Sequence, residues 1–211
     1  MRLYLASTSP ARLSVLRSAG IEPVVIAPQV DEELAVADHE SRLGRTLSID
    51  EMVLHLAQLK AEDVANRHGA EIDGLVLGGD SAFLLEGSIL GKPHLPDVAL
   101  ARAQSHRGKT GVLHSGHWLI ECRGGEQVRA TGAVRTADVT LSDDVTDAEL
   151  VAYVDTKEPL SVAGGFTIDG KAAAFIEGIE GDPSCVIGLS LPTLRRMVRE
   201  LGHEYTELWN I

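Results

Sequence analysis

The chain has 211 residues, 44% hydrophobic and 24% charged, with a formal net charge of −12. Such values suit a soluble globular enzyme, built as one large domain or as two small lobes around a shared core. The negative balance repels polyanions and so argues against nucleic acid polymers and anionic membranes as partners, whereas a small anion responds to a local group of the 19 basic residues. No apolar run approaches the roughly 18 to 20 residues that span a bilayer. Pro10 and Arg12 interrupt the N-terminal segment before a signal-peptide core could form. Cys122 and Cys185 have no metal-ligand spacing and read as buried free thiols, which fits a cytoplasmic protein.

Elements of both types alternate, so the class is α/β. Arg2–Ala6 reads as a strand, followed by a helix over Pro10–Ala19 with Ser9 as N-cap and Gly20 as its stop. Glu22–Ile26 reads as a second strand, and Asp31–Arg45 as a loop with some helix. Ser48–Asn66 is the clearest helix, because Ser48 and Glu51 form a capping box. Leu75–Leu77 is a short apolar strand ending at Gly78-Gly79-Asp80, and Ser81–Leu85 and Ser88–Leu90 flank a hairpin turn at Glu86-Gly87. A helix over Asp97–Ser105 and two strands, Val112–Glu121 and Val128–Leu141, come next. Thr146 and Glu149 form a second capping box for a helix to Asp155, and Pro192–Leu201 is the last helix.

Five segments could carry chemistry. Ser7-Thr8-Ser9-Pro10-Ala11-Arg12 brings hydroxyls and a guanidinium to a helix N-terminus, where free amides favour an anion; alternatively Ser9 only caps and Arg12 is a surface charge. Lys60 falls within an apolar arc of Met52, Val53, Leu56, Ala57 and Val64, so it either snorkels to solvent or meets an anion in a cleft. Asp80 follows a strand end, a place suited to holding Mg²⁺ and activating water, although Gly-Gly-Asp also suits a plain turn. Gly91-Lys92-Pro93 suits a lysine aimed at phosphate but is a common loop sequence. Asp31-Glu32-Glu33 could supply metal ligands or be a solvated acidic loop. His114 and His117 point to opposite faces of a strand and make no joint metal site.

Taken together, these residues resemble the Maf family of nucleotide pyrophosphatases over nearly the whole chain. LASTSPAR resembles the family's opening Ser-x-Ser-Pro-Arg, Val30-Asp31-Glu32 its Val-Asp-Glu, and Leu59-Lys60-Ala61 its helical lysine. Gly79-Asp80-Ser81 resembles its Ala-Asp-Thr and Gly91-Lys92-Pro93 matches a later motif; Thr156–Pro159, Ala163-Gly164, Phe175–Glu177, Gly181-Asp182 and Val186–Leu189 follow its second half. The resemblance implies a mixed, sheet-rich α/β fold, a single domain over 1–211 whose two lobes share one cleft. It implies hydrolysis of a nucleoside triphosphate to the monophosphate and pyrophosphate, with a divalent cation, Mg²⁺ or Mn²⁺. Asp80 takes the general-base position, Ser7, Ser9, Arg12, Lys60 and Lys92 the triphosphate-contacting positions, and Glu32 with Asp80 the metal-binding ones. House-cleaning of non-canonical nucleotides is the family expectation, and a homodimer is compatible with it.

The departures fall on base recognition. Ala11, Ser81 and Asp169 stand where the pyrimidine-directed branch has Arg, Thr and Gln, Val162 replaces a Lys, and Lys109-Thr110-Gly111 replaces Arg-Thr-His. Ala11 cannot donate a hydrogen bond and Asp169 lacks the donors of Gln, so base preference does not carry over. Two other functions compete: a non-catalytic nucleotide-binding regulator of septum formation, and a nucleotidyltransferase. Retention of Asp80 and both lysines favours hydrolysis, because a pure binder has no use for a water-activating base.

Overall fold

The opening strand β1 (Leu3–Ala6) is buried at every position and runs into Ser9, whose side chain accepts a hydrogen bond from the Arg12 amide. That contact caps α1 (Pro10–Ser18), with proline in the first turn, as its sequence predicts. In the computed structural model, which describes residues 1–211, α1 is followed by β2 (Val24–Val25), α2 (Glu32–Leu43), α3 (Ile49–His68), β3 (Gly74–Leu85) and β4 (Ser88–Leu90). Then come α4 (Pro96–His106), β5 (Thr110–Arg123), β6 (Glu126–Leu141), α5 (Asp147–Asp155), β7 (Ile176–Gly181), α6 (Pro183–Ile187) and α7 (Leu191–Glu200). The seven strands form a mixed sheet in the order β2-β1-β3-β5-β6-β7, with β4 beside β3. β1 pairs parallel with β2 and β3, whereas β3–β4 and β6–β7 are antiparallel.

Several elements differ from expectation. The acidic segment after β2 is a 12-residue helix, capped by the Asp31 side chain on the Leu34 amide and closed by left-handed Gly44. None of its residues is fully buried; Ala35, Val36, His39 and Glu40 are half-buried, and the His39 ring stacks on His55 of α3. The second strand shrinks to Val24–Val25. The two short strands expected around Gly78-Gly79-Asp80 are one continuous strand of 12 residues, so Asp80 lies within β3 rather than at a strand end. The glycines there serve close approach, not a turn: a Cβ on Gly78 would come within 2.1 Å of the Ala57 carbonyl oxygen of α3. β7 and α6 lie in a stretch where no element was expected.

The chain divides into two compact units. The first comprises Met1–Asp80, Ser115–Arg135 and Gly188–Ile211. Its core packs Tyr4 and Ala6 of β1 and Val76 of β3 against Ala61, Val64 and Ala65 of α3, with Ile120 and Cys122 of β5. The second comprises Ser81–His114 and Thr136–Ile187, with a core of Phe83, Leu113, Val139, Tyr153, Phe166 and Cys185. Both cysteines are buried free thiols. In the second unit Phe83 pairs with Leu90 across the β3–β4 hairpin, turned by Glu86 and Gly87 at positive φ.

Candidate functional site

The first unit gathers most of the expected residues around one lysine. α3 begins with the Ser48–Glu51 capping box and presents Lys60 twelve positions later, on the buried side of the helix. The Lys60 Nζ lies 2.6 Å from Asp80 Oδ1 and 2.7 Å from Glu32 Oε1. Its side chain is only 8% exposed and that of Asp80 13%, against 53% for Glu32. The lysine therefore does not snorkel to solvent. Glu32 opens α2, where a carboxylate also complements the helix dipole.

Arg12 closes the other flank. Its Nε donates to the Gly188 carbonyl at 2.9 Å and its Nη1 to Ser7 Oγ at 3.3 Å. Ser7 Oγ also accepts the Ser9 amide at 3.1 Å. The guanidinium lies against the backbone of Gly79, where a Cβ would come within 3.1 Å of Arg12 Nε. Ser7, Ser9, Arg12, Glu32, Lys60 and Asp80 thus meet at the starts of α1 and α2, on α3 and within β3.

The electrostatics favour a reactive carboxylate. Burial pushes the Asp80 carboxyl above its ordinary range; Lys60 and Arg12 oppose the rise and nearby Glu32 adds to it. Burial likewise lowers Arg12, opposed by Asp80 and Glu32, and the guanidinium stays charged. Two carboxylates converging on one point are hard oxygen donors. Mg²⁺ is commonly held by one or two such groups plus substrate phosphates; here both carboxylates are paired with the Lys60 ammonium.

The remaining candidates belong to other places. Ala11 is half-buried in the first turn of α1, beside Arg12. Ser81 follows Asp80 in β3 and begins the second unit. Lys92 is exposed in the loop joining β4 to α4, and Asp169 is exposed and accepts a hydrogen bond from the Thr167 hydroxyl, both within the second unit. His117 is fully buried; its Nε2 accepts the Ser190 amide at 2.8 Å, so it supports the start of α7. The Gly188 carbonyl was not foreseen, since an acceptor on the main chain leaves no mark in residue type. No helix is long and apolar enough to cross a membrane.

Comparison with known proteins gives a consistent match. A family model for Maf-like protein matches residues 2–201. A protein from Leifsonia xyli subsp. xyli (strain CTCB07), named nucleoside triphosphate pyrophosphatase, is 59% identical over 211 residues, covering 100% of this chain and 97% of that protein. One of the same name from Corynebacterium diphtheriae is 44% identical over 210 residues, covering 100% and 99%. A solved dITP/XTP pyrophosphatase from Mycobacterium abscessus aligns at a TM-score of 0.38 and 13% identity over 82% of this chain and 93% of that one, too distant to bear on the site.

Proposed function

The chain belongs to the Maf family, and from that premise we propose how its residues cleave a nucleoside triphosphate. The protein is a nucleoside triphosphate pyrophosphatase, hydrolysing its substrate to the monophosphate and pyrophosphate. The observation that carries the mechanism is the buried Asp80 carboxylate, raised in basicity yet held in place by Lys60.

In our reading Asp80 orients a water molecule and takes its proton as the water oxygen attacks the α-phosphorus. The bond from that phosphorus to the bridging oxygen of the β-phosphate breaks, and pyrophosphate leaves with the electron pair. Ser7 and Ser9 offer hydroxyls to the phosphate oxygens at the α1 N-terminus, where the helix dipole favours an anion. Arg12, Lys60 and Lys92 bear the charge that develops on the leaving group. Glu32 and Asp80 would hold Mg²⁺ or Mn²⁺, which neutralises phosphate charge when bound. When substrate enters, Lys60 exchanges a carboxylate partner for phosphate.

Ala11, Ser81 and Asp169 are assigned to the base and sugar. A site built on base-edge hydrogen bonds rejects analogues that leave its polar groups unpaired, so these residues shift preference away from dTTP and UTP. The role we infer is removal of non-canonical nucleotides in the cytoplasm, a compartment with which the two buried, unbridged cysteines are compatible. The test is pyrophosphate release from dTTP, UTP, CTP, GTP and methylated GTP with nucleotide as the only organic substrate. Release with a broad or shifted profile supports this reading. Strong preference for dTTP and UTP contradicts the specificity assignment. Binding without release contradicts the hydrolytic mechanism and favours a regulator.

A further inference from the structure

The lysine of Gly91-Lys92-Pro93 needs its backbone fixed on both sides, and the second unit fixes each side differently. After Lys92 the chain is held by packing and by a main-chain bond. Pro93 is buried against Gly165, where a Cβ would come within 3.2 Å of Pro93 Cγ. His94 adopts a left-handed φ of 61° and its amide donates to the Leu160 carbonyl at 3.1 Å. Before Lys92 there is no such packing. Gly91 is exposed, and nothing lies within 4 Å of where its Cβ would be. A glycine in open space is the freest joint a chain has.

That joint is tied by a side chain from α4. The Arg102 Nη1 donates to the Gly91 carbonyl at 2.6 Å. Arg102 shares a cavity wall with Glu86, whose carboxylate accepts a hydrogen bond from Lys109 Nζ at 2.7 Å. The guanidinium is given to the loop carbonyl, and a charged donor makes a stronger bond there than a neutral one.

We propose that Arg102 is a positioning residue: by fixing the Gly91 carbonyl it aims Lys92 at the substrate's phosphates. This rests on the assignment of Lys92 to the triphosphate made above. Arg102 acts only through Lys92, so its removal costs activity only while Lys92 is present.

A double-mutant cycle tests this, with kcat and KM measured for the parent, Arg102→Ala, Lys92→Ala and the double variant, and with Arg102→Lys as the conservative control. Arg102→Ala is expected to lower kcat/KM about tenfold, chiefly through KM, the size of coupling found between residues that act together. The double variant should match Lys92→Ala within about twofold, and Arg102→Lys should recover most of the loss, because an ammonium can still donate to the carbonyl. Should Arg102→Ala fail to fold in thermal unfolding, Arg102→Gln takes its place in the cycle. Parental activity of Arg102→Ala beside an impaired Lys92→Ala overturns the proposal and leaves the Lys92 assignment standing. An equal loss from Arg102→Ala in both backgrounds also overturns it, as does a loss in Arg102→Lys as large as in Arg102→Ala. Parental activity of Lys92→Ala overturns the assignment itself, and this inference with it.

Discussion

Burial raises the Asp80 carboxyl, while Lys60 and Arg12 pull it back. A carboxyl whose folded pKa exceeds its unfolded one binds its proton more tightly when folded. Its contribution to stability is then greatest in acid and is lost as pH rises through the ordinary value of 3.8 toward the folded one. Desolvation of the ionised side chain thus opposes folding, and the Lys60 and Arg12 charges offset it. Asp80→Asn should lower kcat about 10²–10⁴-fold while nucleotide binding stays measurable by calorimetry. The same variant, without nucleotide at pH 7, should melt no lower than the parent. A substantially lower melting temperature would mean that the Lys60 pairing outweighs desolvation, and near-parental turnover would remove Asp80 from the base role. Lys60 and Asp80 were conspicuous as residue types, a charge in an apolar stripe and one beside paired glycines, whereas Arg12 at a helix start and Glu32 in an acidic run read equally as surface charges. The Gly188 carbonyl and the buried acceptor nitrogen of His117 were not, since each depends on a partner far along the chain.

Helix α3 was legible from its start, because its capping box is local chemistry: Ser48 caps the Glu51 amide and Glu51 returns to the Ser48 amide. Arg45 adds a side-chain bond and, with the Ser48 contacts, holds the Glu51 carboxyl at about 2, from an ordinary 4.5. For a depressed carboxyl the stabilisation is fully present above the ordinary value and is lost as pH falls through the folded one. Glu51→Gln should therefore lower the melting temperature at pH 7, and the difference should close between about pH 4.5 and 2. A difference that persists at the acid end would point to packing rather than charge. Strand β3 was less legible: its glycines read as a turn because nothing local shows that α3 presses on them. Gly78→Ala would drive a Cβ into the Ala57 carbonyl, and over-packing typically costs about 1–3 kcal/mol. The strand must move from the helix, which also parts Asp80 from Lys60. Denaturant unfolding and turnover should both suffer; a fully stable, fully active Gly78→Ala protein would show that the contact yields easily. Helix α2, with no buried residue, left only its caps as a signal, and its acidic run masked them.

Across the molecule, acid should act on the two units in different windows. In the second unit His106 is buried, its ring near Phe83 and Phe166 and its Nε2 within 3.2 Å of the Val139 carbonyl. Burial chiefly, with Lys109, lowers its pKa from 6.5, and the Val139 hydrogen bond opposes this. A base with a lowered folded pKa leaves stability intact above the ordinary value and removes it as pH falls below. Hydrogen exchange should thus show α4 and the Ala137–Val139 part of β6 losing protection below about pH 6.5, before the Glu51 effect in the first unit begins. His106→Gln, which keeps a donor for Val139, should flatten that early limb; an unchanged limb would assign it to another group. The α/β class was legible from alternating periodicities, whereas the boundaries of the two units were not, because three of them fall inside β3, β5 and β6 where residue pattern does not change. That interleaving bears on how the chain is made. The unit holding Asp80 needs Gly188–Ile211, which is synthesised after the whole of the second unit, and with it the carbonyl that anchors Arg12. A nascent chain therefore carries the reactive carboxylate without its assembled surroundings, and competence waits until Gly188–Ile211 has been made and folded back.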